Sequence, residues 1–134
     1  MDEEKGRLIG SLEIVTGAGI LLFWLGALML GLAPENAGPD YFNFMYSFAG
    51  ADAVLVVLLI AAGVLLMNKR QIGILLSLVA TGMLVYMGLT DIGYNLIAGV
   101  YLASSVDLVI NAVINLWCVG FGVAAVLIVR KIKF

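Results

Sequence analysis

The residues able to do chemistry in this chain are acids and amides lying in or beside long apolar runs: Glu13, Asp52, Asp91, Asn95, Asp107, Asn111 and Asn115. Ionisable groups inside apolar helices are costly, so each needs a partner or a task. Asp107, Asn111 and Asn115 recur every four residues, which puts them on one face of a helix. Ser77, Thr81, Leu84, Gly88, Asp91 and Asn95 follow the three-four spacing of a second such face. Asp91–Asn95 repeats the Asp-x-x-x-Asn spacing of Asp107–Asn111. All seven Lys and Arg lie at the opposite end of the spans and histidine is absent, so the outer carboxylates Asp52, Asp91 and Asp107 find no cation within the chain. A buried carboxylate in that position takes up a proton, shares hydrogen bonds, or binds a cation.

The elements that must position these groups are transmembrane helices. The 134 residues are 63% hydrophobic and only 12% charged, with a mean hydropathy of +1.14, far from the balance of a soluble domain. Apolar stretches of membrane-crossing length run over about 8–33, 45–67, 72–90 or longer, and 107–129. Backbone groups in lipid must be satisfied within the segment, so these runs are helices. The expected fold is an all-α, four-transmembrane-helix antiparallel bundle forming one domain over 1–134. Pro34 and Pro39 break the chain after the first span, and Asn68-Lys69-Arg70-Gln71 turns it between the second and third. Residues 91–107 accommodate either a longer third span or a short interfacial helix. The first span begins Met-Asp-Glu-Glu and is too long for a signal-peptide core, so it is read as a mature helix.

Lys5, Arg7, Lys69, Arg70, Arg130, Lys131 and Lys133 fall at the N-terminus, in the second-to-third turn and at the C-terminus. Four spans bring those segments to one side, and the positive-inside rule makes that side cytoplasmic. The chain is therefore expected as a multi-pass protein of the cytoplasmic membrane with both termini inside. At a rise of about 1.5 Å per residue, Glu13 lies about 8 Å in from the cytoplasmic end and Asp52 and Asn115 about 21–23 Å, level with Tyr86 and Trp24. Asn111 follows at about 28 Å, then Asp91 and Asp107 at about 30–34 Å. Asp52, Asp91, Asn95, Asp107, Asn111, Asn115, Tyr86 and Trp24 thus form the candidate ligand- or proton-binding set, with Glu13 as an inner-side acid. Other roles also fit: Asp107 and Asp52 start helices and suit capping, and Glu13 is within reach of an ion pair with Arg7, Lys69 or Arg70. Pairs of small residues such as Gly6 and Gly10, or Gly120 and Ala124, allow close helix packing.

Several chemistries are excluded. One cysteine, Cys118, and no histidine leave no disulfide, Cys/His zinc site or bis-histidine haem, so neither a cofactor nor a metal is expected. No basic patch interleaved with aromatics points to nucleic acid. No nucleophile–base pair is legible, which makes an enzyme the less favoured class. The expected partners are the lipid bilayer and a proton, cation or small amine-bearing molecule, bound or transported through an outward-facing polar pocket. The alternative is an accessory subunit of a larger membrane complex, its acids paired with a partner's basic residues. A homodimer is a further expected arrangement.

Four short spans with Ser11-Leu12-Glu13 early in the first resemble the small multidrug-resistance transporters. The resemblance implies that Glu13 binds protons and cationic drugs in exchange. The complete charge bias and the outer aspartate and asparagine stripes depart from that family's pattern.

Overall fold

A computed structural model describes residues 1–31 and 33–134; residue 32, which the first expected span takes in, lies outside the described residues. Among the described residues the chain is all helical: α1 (Asp2–Met29), α2 (Pro39–Ser47), α3 (Ala49–Met67), α4 (Gln71–Ala98) and α5 (Ser105–Val129), with a 3₁₀ turn at Val100–Leu102. α1, α3, α4 and α5 are each long and apolar enough to cross a membrane.

Local chemistry sets the helix ends. Asp2, Glu3 and Glu4 occupy the first turn of α1, where acids complement the helix dipole. Its last turn closes at Leu30, whose N–H donates to the Gly26 carbonyl at 2.9 Å, and Gly31 then takes the left-handed conformation (φ +65°). The helix therefore ends at Met29, short of the boundary expected at 33. α4 runs to Ala98 and stops at Gly99, again left-handed (φ +70°). A longer third span and a short 3₁₀ turn thus both occupy the 91–107 region. Ser104 caps α5 by accepting the Asp107 N–H at 3.0 Å.

The second expected span starts at 45, but Met45 belongs to α2 and α3 begins at Ala49. Pro39, pre-set for the first helical position after extended Gly38, starts α2 as a separate element.

α1 packs on α3, α3 on α4 and α4 on α5, while α1 meets α5 more lightly. Gly10 and Gly63 make the α1–α3 approach possible: a Cβ on Gly63 would stand 2.5 Å from the Gly10 carbonyl oxygen, and one on Gly10 2.6 Å from that of Gly63. Gly19 and Gly120 face open space instead. The main core gathers Ile9, Leu55, Leu59, Leu66, Leu84 and Val129. A smaller cluster, Trp24, Ala27 and Met45, joins α1 to α2. The α4 face that carries Ser77, Thr81, Leu84, Gly88 and Asn95 is buried, with Asp91 half-buried along it.

The N-terminus, the α3–α4 turn and the C-terminus meet at one end. Asp2 accepts the Lys133 N–H at 3.0 Å, and Lys69 pairs with Glu3 at 2.8 Å. At the other end the Glu35 N–H donates to Asp107 at 3.1 Å, and Asn36 donates to the carbonyls of Ala98 and Gly99.

Candidate functional site

A cavity of about 270 Å³ lies between α1, α3, α4 and α5 under α2. Its polar groups are Asp52 from α3, Asp91 and Asn95 from α4, and Asn111 and Asn115 from α5. Its apolar walls are aromatic: Phe23 and Trp24 from α1, Tyr41 and Phe44 from α2, and Phe48 where α2 gives way to α3.

Each polar group is held by a local arrangement. Asp52 sits in the first turn of α3, 7% exposed, and accepts the Trp24 indole N–H at 2.8 Å. That bond occupies one carboxylate oxygen and leaves the other without a protein donor among the described residues. Asp91 accepts a long bond of 3.4 Å from Asn95, one turn along the same helix face. Asn115, buried, donates to the Tyr101 hydroxyl at 2.5 Å, and Asn111 donates back to the Asp107 carbonyl at 2.9 Å. Among the described residues no lysine, arginine or histidine lines the cavity. Among the described residues the one ion pair, Lys69–Glu3, lies at the other end of the molecule.

The α2 helix forms the cover. Its Phe44 ring stacks on Tyr94 of α4 with centroids 3.9 Å apart and planes 5° from parallel. Tyr41 packs beside the same tyrosine at 6.2 Å. Burial, with the nearby Asp91 carboxylate adding to it, pushes the Tyr41 phenol up to about 12, so it faces the cavity as a neutral hydroxyl.

The sequence-derived candidates divide accordingly. Trp24, Asp52, Asp91, Asn95, Asn111 and Asn115 line one cavity. Asp107 does not: its carboxylate is engaged by the Ser104 hydroxyl at 2.9 Å and the Glu35 N–H, which leaves it tying the α5 cap to the 35–36 loop. Tyr86 stands 72% exposed on the outer face of α4, beside a shallow groove that Phe48 and Asp52 also border. Glu13 lies toward the other end of the bundle and is fully buried. It forms no ion pair with Arg7, Lys69 or Arg70, which are exposed, Lys69 being held by Glu3; Ser77 of α4 donates to Glu13 instead. Since Glu13 does not line the cavity, the resemblance's single glutamate for proton and cation does not describe this geometry.

Phe44, Met45 and Phe48 line the cavity without standing among the sequence-derived candidates. With Tyr41 they follow the i, i+3, i+4, i+7 spacing of one helix face, a signal present in the sequence but hidden within an apparent loop and span start. Cys118 also walls the cavity, 4% exposed.

Compared with protein-family models, residues 1–131 match one described as a domain of unknown function (DUF8058). No curated protein and no solved structure matches the chain.

Proposed function

Since the chain belongs to the DUF8058 family, whose description carries no activity, we propose a function from its geometry: a multi-pass membrane protein that binds a small amine-bearing organic cation between Asp52 and Asp91. One observation carries the reading. Two carboxylates from different helices line an aromatic-walled cavity into which, among the described residues, no basic side chain enters.

Physical chemistry narrows the occupant. Carboxylates without internal counter-charge favour a positive guest, and in a low-dielectric interior that attraction is strong. The rings of Trp24, Tyr41, Phe44 and Phe48 offer the negative faces on which an ammonium group rests, at about 0.5–2 kcal/mol per contact. A volume of about 270 Å³ far exceeds a bare metal ion and approaches the size of small-ligand pockets. Among the described residues no cluster of His, Cys, Asp and Glu is arranged to hold a metal.

Membrane insertion is part of the proposal. Large apolar side chains such as Leu22, Val57, Leu116 and Ile97 face outward, 65–91% exposed in the isolated chain, a surface suited to lipid. The basic residues gather at the end where the termini meet, so that end is read as cytoplasmic and the cavity as nearer the outer face.

Thermal unfolding of the purified protein in lipid nanodiscs, titrated with phenethylamine as probe, tests the site. Stabilisation should rise with the logarithm of amine concentration above saturation. It should vanish in Asp52→Asn and in Asp91→Asn but persist in Asp107→Asn, where the acid serves the helix cap. Equal stabilisation of all three variants would remove the reading. Failure of the wild type to respond, together with co-purification of a second polypeptide, would favour the accessory-subunit alternative.

A further inference from the structure

Glu13 is a carboxylic side chain that the cavity does not use, and its surroundings are unlike those of any other acid in the molecule. It is fully buried, midway along the contacts of α1 with α3. The Ser77 hydroxyl donates to Oε1, while Oε2 is the one buried side-chain oxygen or nitrogen without a hydrogen-bond partner among the described residues. Thr81, one turn on, is turned away, donating to the Ser77 carbonyl at 2.6 Å. Thr16, the next polar group of α1, donates to the Leu12 carbonyl at 2.7 Å and accepts the Trp117 indole at 2.9 Å. Neither hydroxyl is available to Oε2.

Charged groups on the packing helices stand far off. Against Gly10 and Gly17, which flank Glu13 on α1, α3 presents Gly63, Ile60 and Leu59, and its charged residue, Asp52, is seven residues beyond Leu59, about 10 Å along the axis. On α4, Asp91 lies fourteen residues beyond Ser77, about 21 Å away along the axis, and Arg70, exposed at the helix N-cap, lies seven residues before Ser77, about 10 Å away. On α5, whose Trp117 indole meets α1 at Thr16, Asp107 stands ten residues from Trp117 on the outer side and Arg130, exposed at the C-cap, thirteen residues from it on the other. On α1 itself the nearest charge is Arg7, exposed and six residues back. An ionised Glu13 would therefore carry a buried negative oxygen with neither donor nor counter-ion, a far costlier state than a neutral O–H lacking an acceptor.

We propose that Glu13 is a proton-binding site inside the bundle, separate from the cation cavity: Oε2 carries the proton and Oε1 accepts the Ser77 hydroxyl. The proton is thereby stored one helical turn from Thr16, which lines the cavity, so the two sites are neighbours without sharing a ligand. This assignment stands whether or not the cavity binds an amine.

Infrared spectroscopy in nanodiscs at neutral pH reads the site directly, through the C=O stretch of a protonated carboxylic acid and its downshift in D₂O. The wild type should show the band. Glu13→Gln should lose it, Asp52→Asn and Asp91→Asn should keep it, and Ser77→Ala should move it to higher frequency by freeing the carbonyl from its donor. Absence of the band in the wild type, or its survival in Glu13→Gln, overturns the proposal. Should Glu13→Gln fail to fold, the Ser77→Ala shift decides: an unmoved band belongs to another acid and overturns it equally.

Discussion

Trp24 and Trp117 each donate an indole N–H across helices, and the two bonds differ in what they hold. Trp24 donates to the Asp52 carboxylate at 2.8 Å within the buried cluster under α2, whereas Trp117, 41% exposed, donates to the neutral Thr16 hydroxyl at 2.9 Å. Bonds to charged acceptors contribute about 1.5–3 kcal/mol and neutral ones about 0.5–1.5. If Asp52 is ionised, Trp24→Phe should cost about 1.5–3 kcal/mol and Trp117→Phe about half that, compared by thermal unfolding without added amine. Equal costs would mean that Asp52 is neutral in the empty protein. The same pair gives an optical probe. With Trp117 replaced by Phe, the remaining indole lines the cavity and its emission should change on phenethylamine titration; with Trp24 replaced it should not. At this scale the polar lining of the candidate cavity is legible in the sequence, because a four-residue spacing puts Asn111 and Asn115 on one face and depth alone brings Asp52 level with Trp24. The engagement of Asp107 by Glu35 is not, since no spacing reports a contact between residues 72 positions apart.

At the scale of elements, the helices meet where backbones approach without side chains between them. A methyl group on Gly63 would press on the Gly10 carbonyl and on Ile14, while one on Gly120 would meet nothing within 4 Å. Gly63→Ala should therefore cost about 1–3 kcal/mol through forced separation of α1 and α3. Gly120→Ala should be neutral or stabilising by up to about 1 kcal/mol, because alanine loses less entropy in a helix. Chemical unfolding of the two variants in the same detergent compares them, and equal stabilities would mean that the α1–α3 contact yields easily. Sequence alone gives both glycines the same standing; only the partner across the interface separates them. The long helices are readable because length and apolarity must satisfy the same constraint. α2 is not, since nine residues that begin with a proline, five positions after another, look like a connection. Its Tyr41, Phe44, Met45 and Phe48 stripe becomes meaningful once the cavity beneath it is known.

For the whole molecule, the ends differ in chemistry. The end that joins both termini to the α3–α4 turn holds every lysine and arginine, while the other holds Glu35, Asp40, Asp107 and amides. In a membrane this asymmetry is expected to set orientation, since basic segments resist translocation far more than acidic ones. A cysteine-labelling pair tests it in intact cells. Glu35 and Lys133 are both exposed, and their contacts to the opposing acids run through backbone N–H groups that a cysteine keeps. In a Cys118→Ala background, Glu35→Cys should react with a membrane-impermeant maleimide added outside, and Lys133→Cys only after permeabilisation. Reversed labelling would move the cavity's nearer face to the cytoplasm and make any amine ligand a cytoplasmic one. Labelling of both cysteines from outside would mean that the chain inserts in two orientations, which the complete segregation of its basic residues argues against.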